Sequence, residues 1–297
     1  MNRSPSALCD EVNFNAVNGV YDPTKANHKA YVRRKYAKYQ GMKIQEHDDL
    51  RRYVRKALFD DQSPEAIAER VTKREKYLPS ISKNAIYRYV ASPYGRLIEA
   101  HQWLRRKQSR RGGRLKVGQL QDRTFIDERP QYIGNRERVG DAEADFIVSG
   151  KSGKGILLVV VDRKLRATFI EQILHVSIRN MEQAFLRIKR RYPELRTITT
   201  DNDLLFAQHQ RLERLLKVKI YFCHPYHSWE KGTVENANKV IRRDMPKGSN
   251  LSKYSKRFVQ SIEAKLNRRF MDCLHRMTPA EVLATHRKRV KKRKWPR

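Results

Sequence analysis

The chain has 297 residues, and its 65 Lys and Arg residues against 32 Asp and Glu residues give a formal net charge of +33. A compact body this basic repels itself unless it meets a polyanion, so nucleic acid is the expected partner. The sequence has no run of 18 apolar residues and no signal-peptide core, and its three cysteines are scattered. These features argue against a membrane partner, secretion and disulfides, and favour a cytoplasmic protein associated with the nucleoid.

Residues 1–45 are predicted to form a basic helical segment, and residues 46–104 a small helical domain. The stretch HDDLRRYVRKALFD is a first helix of that domain, because apolar residues recur at helical spacing. A second helix begins after Ser63, a favoured N-cap residue, with Pro64 at the first helical position. The apolar stripe of the first helix comprises Leu50, Val54, Ala57 and Leu58.

The third helix of this domain follows Ser82, which is predicted as its N-cap. Its apolar side chains, Ile86, Tyr89 and Val90, are expected to face inward. Its outward side chains are expected to contact DNA, and these are Lys83, Asn84, Tyr87 and Arg88. Three short helices with a polar, basic third helix favour a helix-turn-helix, although the connection before Ser82 is long. A three-helix bundle without DNA contact is the alternative.

Residues 105–135 are predicted to be a basic linker. The segment RRKQSRRGGRLK has seven bases, no acid and no apolar period, so we expect an extended connection. It is either a solvated spacer or a segment that follows a phosphate backbone. Its candidate DNA-contacting residues are Arg105, Arg106, Arg110 and Arg111. A second basic run, residues 286–297, is predicted to be a tail without regular structure.

Residues 136–285 show strands that alternate with helices. The predicted order is three strands, helix, strand, helix, strand and a final helix after WEKG. A hairpin sheet extended by strand–helix units gives an α/β fold, with a mixed sheet and helices on its faces. This is an RNase H-like order of elements, although other mixed folds share it.

Three carboxylates fall at informative places in this order. Asp145 and Glu143 lie two residues apart on the first strand, so they face the same side of the sheet. Asp201 ends the fourth strand, which neighbours the first, and Glu235 opens the last helix. Alone, each acid is more often a cap or a turn residue. Together they predict a site for hard divalent cations, with carboxylates about 4–8 Å apart and Mg²⁺ as the usual ion beside phosphates.

The carboxylate-bearing half resembles the DDE transposases of the IS-thirty family of insertion sequences. The resemblance covers about residues 15–285 and is carried by GDAEADFI, VDRK, ITTDN, YFCHPYHSWEKGTVENANKVIRRDMPKG and LNRRF…TPAEVL, with 33 residues between Asp201 and Glu235. It implies an RNase H-like catalytic domain in which Asp145, Asp201 and Glu235 bind Mg²⁺ or Mn²⁺. It also implies cleavage of double-stranded DNA at element ends, strand transfer into target DNA, and a homo-oligomer on the DNA.

The sequence departs from the family pattern at three positions and at its start. Ala142 and Ala144 stand where the family has Trp and Gly, so an aromatic and a glycine beside the first acid are lost. Asp203 stands where the family has Gly, which suggests an unusual φ or an extra negative charge near the metals. The first helix-turn-helix of the family is expected to be absent. A catalytically inactive DNA-binding regulator and a different RNase H-like nuclease are therefore the alternatives to a transposase.

The loop HPYHSWEKG presents residues that resemble metal ligands. His224, His227 and Glu230 have a His-x-x-His spacing, but we reject zinc because Cys223 would face away from His224 on the strand. We expect Trp229 to stack on a base or cover the edge of the site, and Lys231 to contact a phosphate.

Overall fold

The computed structural model describes residues 4–16, 18–36, 42–106, 122–150, 153–225 and 227–294. Before residue 107 the regular elements are helices: α1 (Pro5–Asn15), α2 (Pro23–Tyr36), α3 (Met42–Glu46), α4 (Asp48–Phe59), α5 (Pro64–Lys73), α6 (Lys83–Val90) and α7 (Arg96–Arg106). After residue 121 strands join them: α8 (Gln131–Gly134), β1 (Asp141–Val148), β2 (Ile156–Asp162), β3 (Thr168–Ile173), α9 (Ile178–Arg191), β4 (Thr197–Thr200), α10 (His209–Leu216), β5 (Lys219–Phe222), α11 (Gly232–Asp244), α12 (Lys256–Asn267) and α13 (Pro279–Lys294).

Helices α4 to α7 share one hydrophobic core. The stripe predicted on α4 is buried, and Ile86 and Tyr89 of α6 are buried with it. The Ser63 hydroxyl accepts a hydrogen bond from the Ala66 N–H, and the Ser82 hydroxyl accepts one from the Ala85 N–H, so both predicted N-caps are confirmed. The outward face of α6 therefore has the orientation that the sequence predicted.

The strands form one mixed sheet in the order β3-β2-β1-β4-β5. Strands β1, β2 and β3 pair antiparallel, while β4 pairs parallel with both β1 and β5. This is the RNase H-like arrangement that the order of elements predicted. Glu143 of β1 lies opposite Thr199 of β4. Continuing that register by two residues brings Asp145 level with Asp201.

Each face of the sheet packs against its own pair of helices. Helices α9 and α10 cover one face, where Ala142 and Ala144 are fully buried. Helices α11 and α12 cover the other face, where Val240 and Ile241 pack on the strands. Side chains alternate along a strand, so the two alanines point away from the face that carries Asp145. The small side chains of Ala142 and Ala144 therefore affect packing against α9. They do not take the place of a residue beside the Asp145 carboxylate, which lies on the other face.

Two segments predicted without regular structure differ in the fold. Of the linker, residues 122–135 pack against the sheet: the Phe222 N–H donates to the Thr124 carbonyl, and Ile133 is buried. Of the tail, residues 286–294 continue α13, which Arg287 anchors through an ion pair to Glu194 at 2.8 Å. No helix in the described ranges has the length and apolar character needed to cross a bilayer.

The helical domain is docked onto the segment that follows α12. The Gln62 side chain donates to the Arg268 carbonyl and accepts from the Phe270 N–H, both at 3.0 Å. Arg70 pairs with Glu281 of α13 through two hydrogen bonds of 2.8 and 2.5 Å. The two domains therefore share an interface of directed polar contacts.

Candidate active site

Asp145 and Asp201 meet at a single lysine. The Lys231 Nζ lies 3.1 Å from Asp145 Oδ1 and 3.0 Å from Asp201 Oδ2, and the lysine side chain is only 5% exposed. Burial by itself would lower the pKa of Lys231, but the two carboxylates outweigh it and raise the pKa above its ordinary value. The sequence predicts a phosphate contact for Lys231, and in this structure its ammonium lies buried between two acids.

Glu235 lies on α11, and the contact made by a neighbouring residue of that helix shows which face of α11 meets Asp145. Asn238, three residues further along α11, donates from Nδ2 to Asp145 Oδ2 at 2.7 Å. Residues three apart share one face of a helix, so Glu235 lies on the face of α11 that meets Asp145. Glu235 is half-buried. Asp145 and Asp201 are thus brought together by direct contact with Lys231, and Glu235 lies on the helix face that meets Asp145.

The donor set suits a hard divalent cation. Two carboxylates already hold one cationic group, the Lys231 ammonium, between them. Beside them, the Asn238 Oδ1 is buried and has no hydrogen-bond partner among the described residues. Carboxylate and amide oxygens are the ligands that Mg²⁺ and Mn²⁺ prefer. The residues present therefore fit the ion that the sequence predicted.

Glu143 has a structural role that sequence reasoning missed. It is 1% exposed, and its Oε2 accepts hydrogen bonds from the Thr233 and Val234 N–H groups at 2.8 and 2.9 Å. Its Oε1 lies 3.3 Å from Arg163 Nε. Free N–H groups at a helix N-terminus favour a carboxylate, so Glu143 fixes the start of α11 on β1. The sequence signal for this role was the position of Glu143 itself, two residues before Asp145 and therefore on the same face of the strand.

Asp203 adopts an ordinary backbone conformation. Its φ is −73°, so the unusual φ expected at this position is wrong. The side chain caps a 3-10 helix, Leu204–Gln208, by accepting from the Leu205 N–H at 2.8 Å. Burial and the nearby Asp201 raise the pKa of Asp203, while a backbone hydrogen bond from Leu205 opposes them. Asp203 thus adds negative charge near Asp201 and also stabilises the turn that follows it.

The loop after β5 is organised around Glu230. Its Oε1 lies 3.0 Å from His224 Nδ1 and 3.3 Å from His227 Nδ1, and its Oε2 accepts from the His224 N–H. The ligand atoms of these three residues lie within 4.8 Å of one another, close enough to hold one metal ion, so the rejection of zinc stays a prediction. Cys223 is buried. The hydrogen bond to Glu230 raises the pKa of His224. These contacts hold the 3-10 helix Ser228–Lys231, which delivers Lys231 to the carboxylates.

Some of the predicted DNA-contacting residues lie in the part of the chain that the structure describes, and others lie outside it. The four on α6, namely Lys83, Asn84, Tyr87 and Arg88, are all exposed. Lys83 also pairs with Glu65 at 3.0 Å. The backbone of Arg105 and Arg106 ends α7 and is not extended, whereas Arg110 and Arg111 lie outside the described residues. Trp229 lies in the 3-10 helix, and its side chain is also outside the described part.

A basic pocket lies on the opposite side of the first turn of α11. The cavity has a volume of about 330 Å³, and its lining includes Arg136, Arg166 and Arg269 but no carboxylate. Arg136 and Arg166 both have φ of 60°, which is uncommon for a residue other than glycine. Three guanidinium groups without an acid suit a phosphate-bearing ligand. Sequence reasoning did not single out these arginines, because they are scattered along the chain.

The chain is similar over most of its length to known transposases. It is 34% identical over 274 residues to the transposase for insertion sequence element IS4351 of Bacteroides fragilis, which covers 91% of this chain and 82% of that protein. It is 32% identical over 300 residues to transposase InsI for insertion sequence element IS30A of Escherichia coli (strain K12), covering 95% and 76%. It is 29% identical over 295 residues to the transposase for insertion sequence element IS1086 of Cupriavidus metallidurans, covering 96% and 86%.

Solved structures give more remote likenesses. The catalytic core domain of BIV integrase aligns with a TM-score of 0.40 and 16% identity, covering 51% of this chain and 98% of that one. A chain of the simian T-cell lymphotropic virus intasome aligns with a TM-score of 0.41 and 14% identity, covering 68% and 66%. No protein-family model matches the chain.

Proposed function

The chain belongs to the IS-thirty (IS30) family of insertion-sequence transposases, and from that premise we propose that Asp145, Asp201 and Glu235 are its catalytic carboxylates. The observation that carries this proposal is the contact of one buried ammonium group with both Asp145 and Asp201. A pair of carboxylates that shares a cation in this way is the arrangement that metal-dependent strand cleavage needs. Glu235 adds a third carboxylate from the same face of α11 that contacts Asp145.

The cofactor of this site is Mg²⁺ or Mn²⁺. Such an ion, when bound, activates a water or a 3′-OH and stabilises the leaving oxygen. The chain supplies the ligands and their orientation. Asn238 fixes Asp145 through Oδ2, and Glu143 fixes the start of α11, the helix that carries Glu235.

The substrate is double-stranded DNA, first the ends of the mobile element and then the target. We assign sequence preference to the exposed side chains of α6, because only base edges in the grooves distinguish base pairs. The linker arginines and the pocket lined by Arg136, Arg166 and Arg269 supply contacts to phosphates, which carry no sequence information. The protein acts as a homo-oligomer on DNA in the cytoplasm, associated with the nucleoid.

Replacing Asp201 with Asn tests the assignment. We expect Asp201→Asn to abolish divalent-dependent cleavage of element-end DNA, because one ligand loses its charge. DNA binding should stay intact or become tighter, since a negative charge near phosphates is removed. The measurements are cleavage of a labelled DNA end in Mg²⁺ or Mn²⁺ and a binding titration on the same DNA.

Asp203→Asn is the matched control, because it makes the same chemical change two residues away and Asn also caps helices well. It should retain cleavage. If Asp201→Asn loses cleavage and binding equally, its effect is on the fold and the assignment is wrong. If the unchanged protein binds the DNA ends but does not cut them, the alternative of an inactive DNA-binding regulator is favoured.

A further inference from the structure

The position of Lys231 is the feature of the site that the proposed mechanism does not use. Its Nζ contacts Asp145 at 3.1 Å and Asp201 at 3.0 Å. The loop sequence predicts a phosphate contact for this residue, yet its side chain is 5% exposed. An ammonium that bridges two proposed metal ligands takes up the oxygens that a divalent cation also requires.

The neighbours of Lys231 in the chain hold its backbone in place. Glu230, the preceding residue, is held by the His224 backbone and by two imidazole rings. The next residue, Gly232, begins α11. Lysine carries its charge on a flexible four-carbon stem, so the ammonium can leave without movement of this backbone. Asp145 keeps a second donor, Asn238, when the ammonium departs.

Charge balance makes Lys231 and a divalent cation mutually exclusive at this pair of acids. With Lys231 in place, the repulsion between two neighbouring carboxylates is offset by one positive charge. A divalent cation at the same oxygens would lie within a few ångströms of the ammonium, and like charges at that separation repel strongly in a partly buried site. The carboxylates can therefore satisfy one of the two cations at a time.

We propose that Lys231 is a built-in competitor for the divalent cation: it bridges Asp145 and Asp201 until the cation displaces it, and the released ammonium then contacts a DNA phosphate. This deepens the proposed function, because it rests on Asp145 and Asp201 being metal ligands. The proposal also explains why Lys231, a basic residue of the HPYHSWEKG loop, is buried although it lies at the edge of the proposed DNA-cleaving site. Cation binding and DNA contact are coupled through one side chain.

Calorimetric titration of Mn²⁺ into the full chain without DNA tests the competition. Lys231→Met removes the charge and keeps much of the length, and we expect it to bind Mn²⁺ at least about tenfold more tightly than the unchanged protein, since a unit charge beside both ligands is gone. An equal or weaker affinity would overturn the proposal, because it would make Lys231 a support of the metal site.

Lys265 offers a matched control. It also lies between two aspartates, Asp61 at 2.5 Å and Asp244 at 3.7 Å, but near the other end of α11. Lys265→Met should leave Mn²⁺ affinity at the carboxylate site unchanged.

Asp201→Asn separates this inference from the proposed function. If Asp201→Asn fails to weaken Mn²⁺ binding, the metal site itself is wrong; if it weakens binding while Lys231→Met has no effect, only the competition is wrong.

Amine acylation of the unchanged protein gives a second measurement that does not depend on a variant folding. Lys231 should resist an acylating reagent without added metal and become several-fold more reactive in saturating Mn²⁺, as read by mass spectrometry. Lys83, which is exposed on α6, should react equally in both conditions. Protection of Lys231 that Mn²⁺ does not change would contradict its displacement.

Discussion

Neighbouring acids on one strand have different roles because they meet different groups. Glu143 is enclosed by two helix N–H groups and a guanidinium, whereas Asp145 meets a lysine and an amide on the same helix side of the sheet. Period-two alternation predicted that both acids face this side. It did not predict the burial of Lys231, because the position of a side chain in a loop depends on contacts made far along the chain.

Loss of Glu143 should destabilise the protein strongly. Glu143→Ala leaves Arg163 without its buried ion-pair partner and two helix N–H groups without their acceptor, so we expect a loss of about 3–5 kcal/mol in the free energy of unfolding, as for one removed partner of a buried pair. Urea unfolding followed by circular dichroism measures it. Glu137→Gln, at an exposed position, is the control and should change stability by less than about 0.5 kcal/mol. A small effect of Glu143→Ala would show that α11 is held by other contacts.

Among the elements, helix α6 and the sheet were predictable, whereas the structure of the basic runs was not. Amphipathic spacing and N-caps are local signals, so α4, α5 and α6 follow from short stretches of sequence. The run after residue 285 has few apolar residues, which suggested an irregular tail. It is helical because α13 begins with Val282 and Leu283 packed on the core and is held by Glu194, a partner that lies far away in sequence.

The exposed face of α6 should determine sequence preference. Replacing Asn84 and Arg88 with Ala should narrow the difference in binding free energy between specific and random DNA, by about 1–3 kcal/mol for each side chain that reads a base edge. Competition binding with element-end DNA and random DNA measures this difference. If the preference for element-end DNA over random DNA is unchanged, α6 does not contact bases, and the helical domain is a three-helix bundle without a role in base recognition.

The linker arginines should instead determine affinity without preference. Replacing Arg105, Arg106, Arg110 and Arg111 together should weaken specific and random DNA alike. It should also flatten the dependence of log affinity on log salt by up to about 0.9 for each phosphate that is no longer neutralised. The same titrations repeated at several salt concentrations provide the test. If the linker variant loses the preference for specific DNA and the α6 variant keeps it, the linker reads the sequence and α6 supplies the affinity, which is the reverse of our assignment.

At the scale of the whole molecule, two domains that the sequence separates by a long basic segment are joined by ion pairs. Arg70 contacts Glu281 and Glu75, and its guanidinium lies over the Phe270 ring at 4.9 Å. The pairing of Arg70 with Glu281 could not be predicted from the sequence, because it joins residues that lie far apart along the chain. The predicted boundaries of the two folded parts remain predictions, while their docking is a property of the fold.

The Arg70–Glu281 pair should make stability depend on pH in acid. The hydrogen bond from Arg70 lowers the pKa of Glu281 from 4.5 to about 2. A carboxyl with a lowered pKa contributes stability that is complete above its unfolded value and is lost as the pH falls towards its folded value. The stability difference between the unchanged protein and Glu281→Gln should thus be constant above about pH 4.5 and shrink towards pH 2. Urea unfolding at a series of pH values measures it, and a difference that grows in acid would contradict the sign.

Lys265 connects the helical domain to the far end of α11, because it contacts both Asp61 and Asp244. The near end of α11 follows Lys231 and carries Glu235. With 13 residues, α11 is about 20 Å long, which corresponds to about six base pairs along a DNA duplex. On the proposed function, in which α6 reads bases and the carboxylates cut the strand, this helix keeps the interval between the recognised bases and the cut phosphodiester constant. Shifting the recognised bases by one base pair along an otherwise unchanged duplex should move the cut by one base pair in the same direction.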